Sequence, residues 1–401
     1  METKTMTKDG AWCFFADPRA VYFAGKHRRT YVGWLTSEGD VRVGCYDHDR
    51  GWISESSLLK PALQKDDHAS PSLWMDSEGY LTVFYSAHNG KAMYYRTALS
   101  PESIDEFGEE RRLPANSEGN KGYTYPNPVY LQAEERLFLF WRGGNFKPVF
   151  SITDDCGSGK WSEVRPLIED RGNRPYIKFA SDNESVIHFA CTDGHPNEEA
   201  SNGIHYACYR NNAYYRADGS IIKTAAELPL AIAEMDTVVD PESGKHCWIW
   251  DVAADQEGNP VLVYAVFASK SDHRYYYSRW DDGQWITNEI AAAGHWFPQT
   301  PDGAVEREPY YSGGLILDPR DPGMVYLSRL QDGAFEIERW STEDNGISWH
   351  SEAVTSSSSE LNVRPFISRG PKGSPAMLFW MKGEYTHYTD YRTSLMMQVI
   401  E

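Results

Sequence analysis

Short apolar runs with a period of two recur along this chain. The clearest are Thr30-Tyr31-Val32-Gly33-Trp34, Leu81-Thr82-Val83-Phe84-Tyr85, Leu137-Phe138-Leu139-Phe140-Trp141 and Val186-Ile187-His188-Phe189-Ala190. Val261-Leu262-Val263-Tyr264, Met324-Val325-Tyr326-Leu327 and Met377-Leu378-Phe379-Trp380 follow. Such runs, rich in β-branched and aromatic residues, predict strands. Their spacing, roughly 50 to 75 residues, is that of one four-stranded blade. A chain of 401 residues exceeds one conventional core unless that core is a ring or barrel. The expected fold is all-β: a seven-bladed β-propeller of four-stranded antiparallel blades, with residues 1–401 as a single domain. The only helical candidate runs from Ala225 to Ala233.

A turn motif supports the repeat. Thr342-Glu343-Asp344-Asn345-Gly346-Ile347-Ser348-Trp349 fits the pattern S/T-x-D-x-G-x-x-W, and Thr153-Asp154-Asp155-Cys156-Gly157 with Trp161 is a looser copy. Asp and Gly shape a hairpin turn, and Trp packs between blades. These aspartates are therefore structural.

Composition narrows the function. The net charge of −19 opposes nucleic-acid binding, which needs a basic face. An acidic sugar could be held only by a local cluster of Arg, His or Lys. The 25 Tyr and 14 Trp suit carbohydrate contacts as well as packing between sheets. Cys13, Cys45, Cys156, Cys191, Cys208 and Cys247 lack zinc-motif spacing, and several lie in apolar strand runs, so they read as buried thiols. No metal and no cofactor are expected, a structural cation beside His68 or His48 being the alternative. No run of apolar residues is long enough to span a membrane. Met1 to Gly10 has no apolar stretch and reads as lacking a signal peptide.

Several repeats open on a polar or aromatic residue: His68 in Asp66-Asp67-His68-Ala69-Ser70-Pro71, Tyr125 and Asn127 in Tyr125-Pro126-Asn127-Pro128, and Arg174 in Arg174-Pro175-Tyr176. Arg364 precedes Pro365 in the same way. Strand direction alternates within a blade, so the end of each second strand returns to the mouth where the first began. That rule assigns His68, His88, Tyr125, Asn127, Arg142, Arg174, His195 and Arg364 to one face. His48 follows a third strand, Val41 to Tyr46, and belongs to the other. Asp66 and Asp67, as neighbours in an extended chain, are expected to point to opposite sides.

This set lacks the two facing carboxylates of an ordinary glycosidase. It suits β-elimination on a uronic acid: Arg or Asn neutralises the carboxylate, one His or Tyr removes H5, and another protonates the leaving oxygen.

The stretches around His68, His88, Asn127 and His195, with Tyr214-Tyr215-Arg216-Ala217-Asp218-Gly219, resemble the BNR-repeat seven-bladed propellers over roughly residues 12 to 395. That resemblance implies a carbohydrate-active enzyme related to ulvan lyases. Tyr46-Asp47-His48-Asp49 looks most like the gut Bacteroides group that removes L-rhamnose linked α-1,4 to D-glucuronate in arabinogalactan and gum arabic. The lyases' histidines carry over to His68 and His88; the rhamnose-removing group's histidine carries over to His48. Catalytic expectations are thus His48, His68 and His88, with Tyr125, Asn127, Arg142, Arg174, Tyr176, His195 and Arg364 binding substrate. The expected activity is exo-release of terminal L-rhamnose, by hydrolysis or elimination. A uronan endo-lyase and a non-catalytic glycan-binding propeller are the rivals. The expected partner is a plant polysaccharide or oligosaccharide containing uronic acid, for a monomeric protein that binds neither nucleic acid nor membrane. Relatives are exported, which implies a periplasmic location; the cytoplasm is the other compartment open to it.

Overall fold

The computed structural model describes residues 2–113, 122–169 and 174–400. Seven antiparallel sheets follow one another along the chain, and the fold is the all-β, seven-bladed propeller that the repeats predict. The first blade contains Ala20–Ala24, Arg28–Leu35, Val41–Asp47 and Trp52–Ile53, with Ser57–Lys60 also on the third strand. The second contains Ser72–Met75, Leu81–Tyr85, Tyr94–Thr97 and Arg111–Arg112, and the third Thr124–Leu131, Arg136–Arg142, Pro148–Thr153 and Arg165–Pro166. Ile177–Ser181, Val186–Thr192 and Ile204–Arg210 begin the fourth, a six-stranded sheet. His246–Ala254, Leu315–Asp318 and Leu361–Ile367 open the fifth, sixth and seventh. All seven apolar runs read from the sequence fall in second strands, and nearly all of their residues are buried, on both faces of the strand.

Contacts divide the chain into two compact units, Met1–Val129, Arg136–Val164 and Phe366–Glu401 in one, Tyr130–Glu135 and Arg165–Pro365 in the other. In the first, Lys4–Thr7 pairs with Asp390–Ile400, matching Lys4 to Met397 and Thr5 to Met396. The N-terminal strand thereby supplies the outer edge of the seventh blade. Val21, Tyr31, Leu35, Val43, Leu73, Leu81, Val83 and Tyr85 form one buried cluster between the first two blades, each apolar side chain contributing about 1.5–3 kcal/mol. Gly33 allows the close approach, since a Cβ there would lie 3.0 Å from Pro71 and 3.2 Å from Leu73.

In the second unit the Thr342–Trp349 turn behaves as expected. The Asp344 carboxylate accepts from the Ser348 amide at 2.8 Å and hydroxyl at 2.6 Å, and the Trp349 ring meets Tyr277 of the fifth blade edge-on at 5.3 Å. In the first unit Trp161 packs against Phe84 and Tyr95 of the second blade. The expected helix is corrected: Ala225–Glu227 and Ile232–Glu234 are separate 3-10 turns. Pro229 lies between them and cannot donate a helical hydrogen bond. All six cysteines are buried.

Candidate active site

The first unit brings His68 and His88 together. Asp66 caps a 3-10 turn, Asp67–Ala69, and its carboxylate accepts the His68 amide at 3.0 Å. This turn corrects the expectation for the adjacent aspartates. It replaces strand alternation with a tight curl, and Asp66 Oδ1 and Asp67 Oδ1 both approach His68 Nδ1, at 2.7 and 3.1 Å. His88 follows the strand Leu81–Tyr85, and its amide donates to Gln64 Oε1 at 2.7 Å. Asn89, with φ of 56°, turns the chain, and its amide donates to Thr124 Oγ1 at 2.8 Å.

Asp66 bridges the two histidines. Its Oδ1 faces His68 Nδ1, and its Oδ2 faces His88 Nδ1 at 2.8 Å. The imidazole rings stack 4.3 Å apart at an interplanar angle of 5°. An ionised carboxylate only accepts hydrogen bonds, so each Nδ1 carries a hydrogen. Nε2, on the opposite ring edge, is then the atom that can exchange a proton with a ligand.

Electrostatics separates the rings. Burial raises the Asp66 carboxyl, but the charge on His68 and hydrogen bonds from both histidines hold it well below the usual carboxylate range. Burial, the largest single effect, opposes charging of His68, yet the Asp66 charge and the carboxylate hydrogen bonds together outweigh it and raise its pKa well above 6.5. Burial and then the charge on His68 push His88 down to about 4. One imidazolium and one neutral imidazole share a carboxylate, the division of states an acid–base pair needs.

Tyr125 and Arg142 stand beside them. Tyr125 has φ of 61° immediately before Pro126, where an extended backbone is the norm. Such strain costs about 1–3 kcal/mol. The Tyr125 ring lies 5.8 Å from His68 and 5.5 Å from Phe15. Arg142 ends its strand with its guanidinium 4.8 Å above the Tyr125 ring and Nη2 3.2 Å from Asn89 Oδ1. Tyr388, in the hairpin between Ala376–His387 and Asp390–Ile400, meets His68 edge-on at 4.7 Å and His88 at 6.0 Å. Its carbonyl accepts the Asp67 amide, and Tyr385 donates to Asp67 Oδ2 at 2.6 Å.

Asn127 is close but differently employed. Its amide group donates to the Phe15 and Tyr125 carbonyls, each at 2.9 Å, and its oxygen accepts the Asp17 amide at 3.2 Å. It ties the segment around Phe15 to the third blade. His48 lies elsewhere in the first unit. Its amide donates to the Arg28 carbonyl, whereas Ala11 pairs with Leu35 at the other end of that strand, near Cys13, which reaches Asp67. Arg28–Leu35 is eight residues long, so His48 is on the order of 20 Å from His68. Around it are Tyr22 and Tyr46, edge-on at 5.3 and 5.0 Å, and Thr30 Oγ1 at 2.8 Å.

The second unit holds the remaining expected residues. Tyr176 meets His195 at 5.4 Å, and both meet Trp248 edge-on. Arg174 is half-buried two residues before Tyr176. Arg364 is 0% exposed, its guanidinium over Phe297 and Tyr311 at 5.2 and 5.3 Å. Asp66 as a bridge, Cys13 and Tyr388 escaped the sequence reading. Asp66 could have been suspected from Asp-x-His spacing, whereas nothing local marks Tyr388, which is 320 residues from His68 in the chain.

Known proteins resemble this chain. The chain is 33% identical over 79 residues to an ulvan lyase of Pseudoalteromonas sp., covering 17% of this chain and 16% of that relative. An ulvan lyase of Nonlabens ulvanivorans is 22% identical over 387 residues, covering 84% of this chain and 76% of the other. A solved ulvan lyase bound to -[GlcA(1-4)Rha3S]- superimposes with a TM-score of 0.72 at 14% identity, covering 100% of this chain and 96% of that one. The family description "BNR repeat-containing family member" matches residues 29–293, and the chain belongs to this BNR repeat-containing family.

Proposed function

We propose that this protein is a polysaccharide lyase acting by β-elimination at a uronic acid, and that it releases terminal L-rhamnose α-1,4-linked to D-glucuronate. The carrying observation is the Asp66 carboxylate shared by two stacked histidines with Arg142 beside them. Parallel rings hung from one carboxylate present their Nε2 atoms to the same side of a bound sugar. In D-glucuronate, H5 and O4 leave from one side, so neighbouring groups can serve as base and acid. Neutral His88 takes H5, the C5 electrons form the C4–C5 double bond, and the C4–O4 bond breaks. Charged His68 gives its Nε2 proton to O4, which departs as the anomeric hydroxyl of rhamnose. Arg142 faces the carboxylate and stabilises the charge that develops there.

Two relatives named as ulvan lyases and a fold neighbour bound to a glucuronate–rhamnose glycan support the substrate class. The test is incubation with gum arabic side-chain oligosaccharides. Free rhamnose together with the ultraviolet absorbance of an unsaturated uronate is expected. Rhamnose without that absorbance means hydrolysis and would move attention to His48. Unsaturated oligosaccharides without rhamnose mean an endo-lyase, and no product means a glycan-binding propeller.

A further inference from the structure

Resting on the lyase reading for where the sugar lies, we propose that Tyr388 is the specificity-determining wall of a one-sugar rhamnose subsite. The hairpin that carries it closes the leaving side of the site to longer chains.

That hairpin is long beside its neighbours. Its first strand, Ala376–His387, has 12 residues, whereas the corresponding strands of the second and third blades, Leu81–Tyr85 and Arg136–Arg142, have 5 and 7. At the rise of an extended chain the surplus is roughly 15–25 Å. Pairing runs from Ala376 with Ile400 to His387 with Asp390, so Tyr388 and Thr389 form the tip. Protruding tips are ordinarily mobile, but this one is pinned at three points. Tyr391 donates to the Thr36 carbonyl at 3.1 Å, and Tyr385 donates to Asp67 Oδ2 at 2.6 Å. The Asp67 amide donates to the Tyr388 carbonyl at 2.9 Å. The Tyr385 and Tyr391 rings stack 6.1 Å apart at 18°. Two of the pins end on the turn that carries His68, so the tip and that imidazole are held in one frame.

The Tyr388 ring makes a corner with the histidine pair. It stands at 83° to both imidazoles, 4.7 Å from His68 and 6.0 Å from His88. His387 packs on it at 3.8 Å and is itself tied to Thr389 Oγ1 through Nδ1 at 2.8 Å. Tyr388 is half-buried, whereas His68 is 7% exposed, which places the tyrosine on the solvent side of the acid.

Which sugar it meets follows from which histidine is nearer. Tyr388 is closer to His68, which protonates O4, than to His88, which takes H5. Arg142, the carboxylate partner, lies over Tyr125 instead. Tyr388 therefore belongs to the sugar that departs with O4. L-Rhamnose is a 6-deoxy sugar, and its methyl group gives it an apolar edge suited to an aromatic ring with a polar tip. A rhamnose bearing a further residue would run into the pinned hairpin. Cleavage at the chain end is thus set by the seventh blade, while the histidine pair supplies the chemistry.

The test separates the wall from the chemistry. Binding of free L-rhamnose to the whole chain, measured by titration calorimetry, needs no turnover. The native chain and Tyr388→Phe are expected to bind it, and Tyr388→Ala to bind about tenfold more weakly, the size of one lost apolar contact in a pocket. In turnover, the native chain is expected to favour a terminal rhamnose–glucuronate oligosaccharide over a desulfated ulvan oligosaccharide with internal rhamnose. Tyr388→Ala should narrow that ratio of kcat/KM values by about tenfold, with KM for the terminal substrate rising more than kcat falls. Three results overturn the inference: no rhamnose binding by the native chain, equal affinity in Tyr388→Ala, or an unchanged ratio with kcat lowered on both substrates, which leaves Tyr388 a prop for His68. If Tyr388→Ala fails to fold, Tyr388→Leu replaces it with the same readouts. Tyr388-dependent rhamnose binding in a chain that forms no unsaturated uronate refutes only the lyase reading. Unsaturated uronate with binding and selectivity indifferent to Tyr388 refutes only this one.

Discussion

Asp66→Asn probes the shared carboxylate directly. Asparagine keeps the shape but has one acceptor oxygen, and its other arm is an NH2 donor. The carboxylate now faces two Nδ1 groups, at 2.7 and 2.8 Å. After substitution, one histidine must turn a bare Nδ1 toward the amide and move its hydrogen to Nε2. If that ring is His88, the base is lost; if it is His68, the proton donor loses its charge. Losing the carboxylate also removes two charge-assisted hydrogen bonds, each about 1.5–3 kcal/mol. Acid–base assistance is typically worth 10² to 10⁴-fold, or about 3–5 kcal/mol of barrier. Turnover should therefore fall by about 10³-fold, read as the initial rate of unsaturated uronate formation. Circular dichroism and melting establish that the variant is folded. A folded Asp66→Asn protein that keeps more than about a tenth of the native rate would refute this account of the pair.

Other perturbations follow from the same geometry. His48→Ala should leave rhamnose release within about twofold, because His48 is on the order of 20 Å from His68; a loss near 10²-fold would place the cleavage at His48. Arg142→Lys keeps the charge but not the planar group lying over Tyr125 and bonded to Asn89, so kcat/KM should drop by about 10²-fold. Trp12→Ala empties a fully buried site between Phe366 and Phe379 and should cost about 3–5 kcal/mol in denaturant unfolding. Burial holds His188 neutral down to about 4, while the unfolded chain takes up its proton near 6.5. Its contribution is intact above about pH 6.5 and lost as pH falls toward 4, by up to about 3 kcal/mol. Urea midpoints across that window should fall for the native chain and fall less for His188→Leu.

Fold class was legible in the sequence because it depends on local repetition. The seven apolar runs are all second strands, and a strand buried on both faces announces itself whatever its neighbours are. The Thr342–Trp349 turn was equally readable, since its hydrogen bonds close within eight residues. Joining His68 to His88 needed only the alternation of strands inside one blade. Beyond that reach, side-chain direction and distant partners decide. Asp66 and Asp67 read as a strand pair pointing apart, but the 3-10 turn aims both at one nitrogen. Asn127 and Arg364 read as polar residues at repeat starts, but only the packed structure shows Asn127 bonded to the Phe15 carbonyl and Arg364 lying over Phe297 and Tyr311. Tyr388 and Cys13 reach His68 only because the seventh blade and the N-terminal segment pack beside the second. Periodicity belongs to neighbouring residues and is written in the chain, whereas the meeting of residues hundreds of positions apart exists only once the blades have packed.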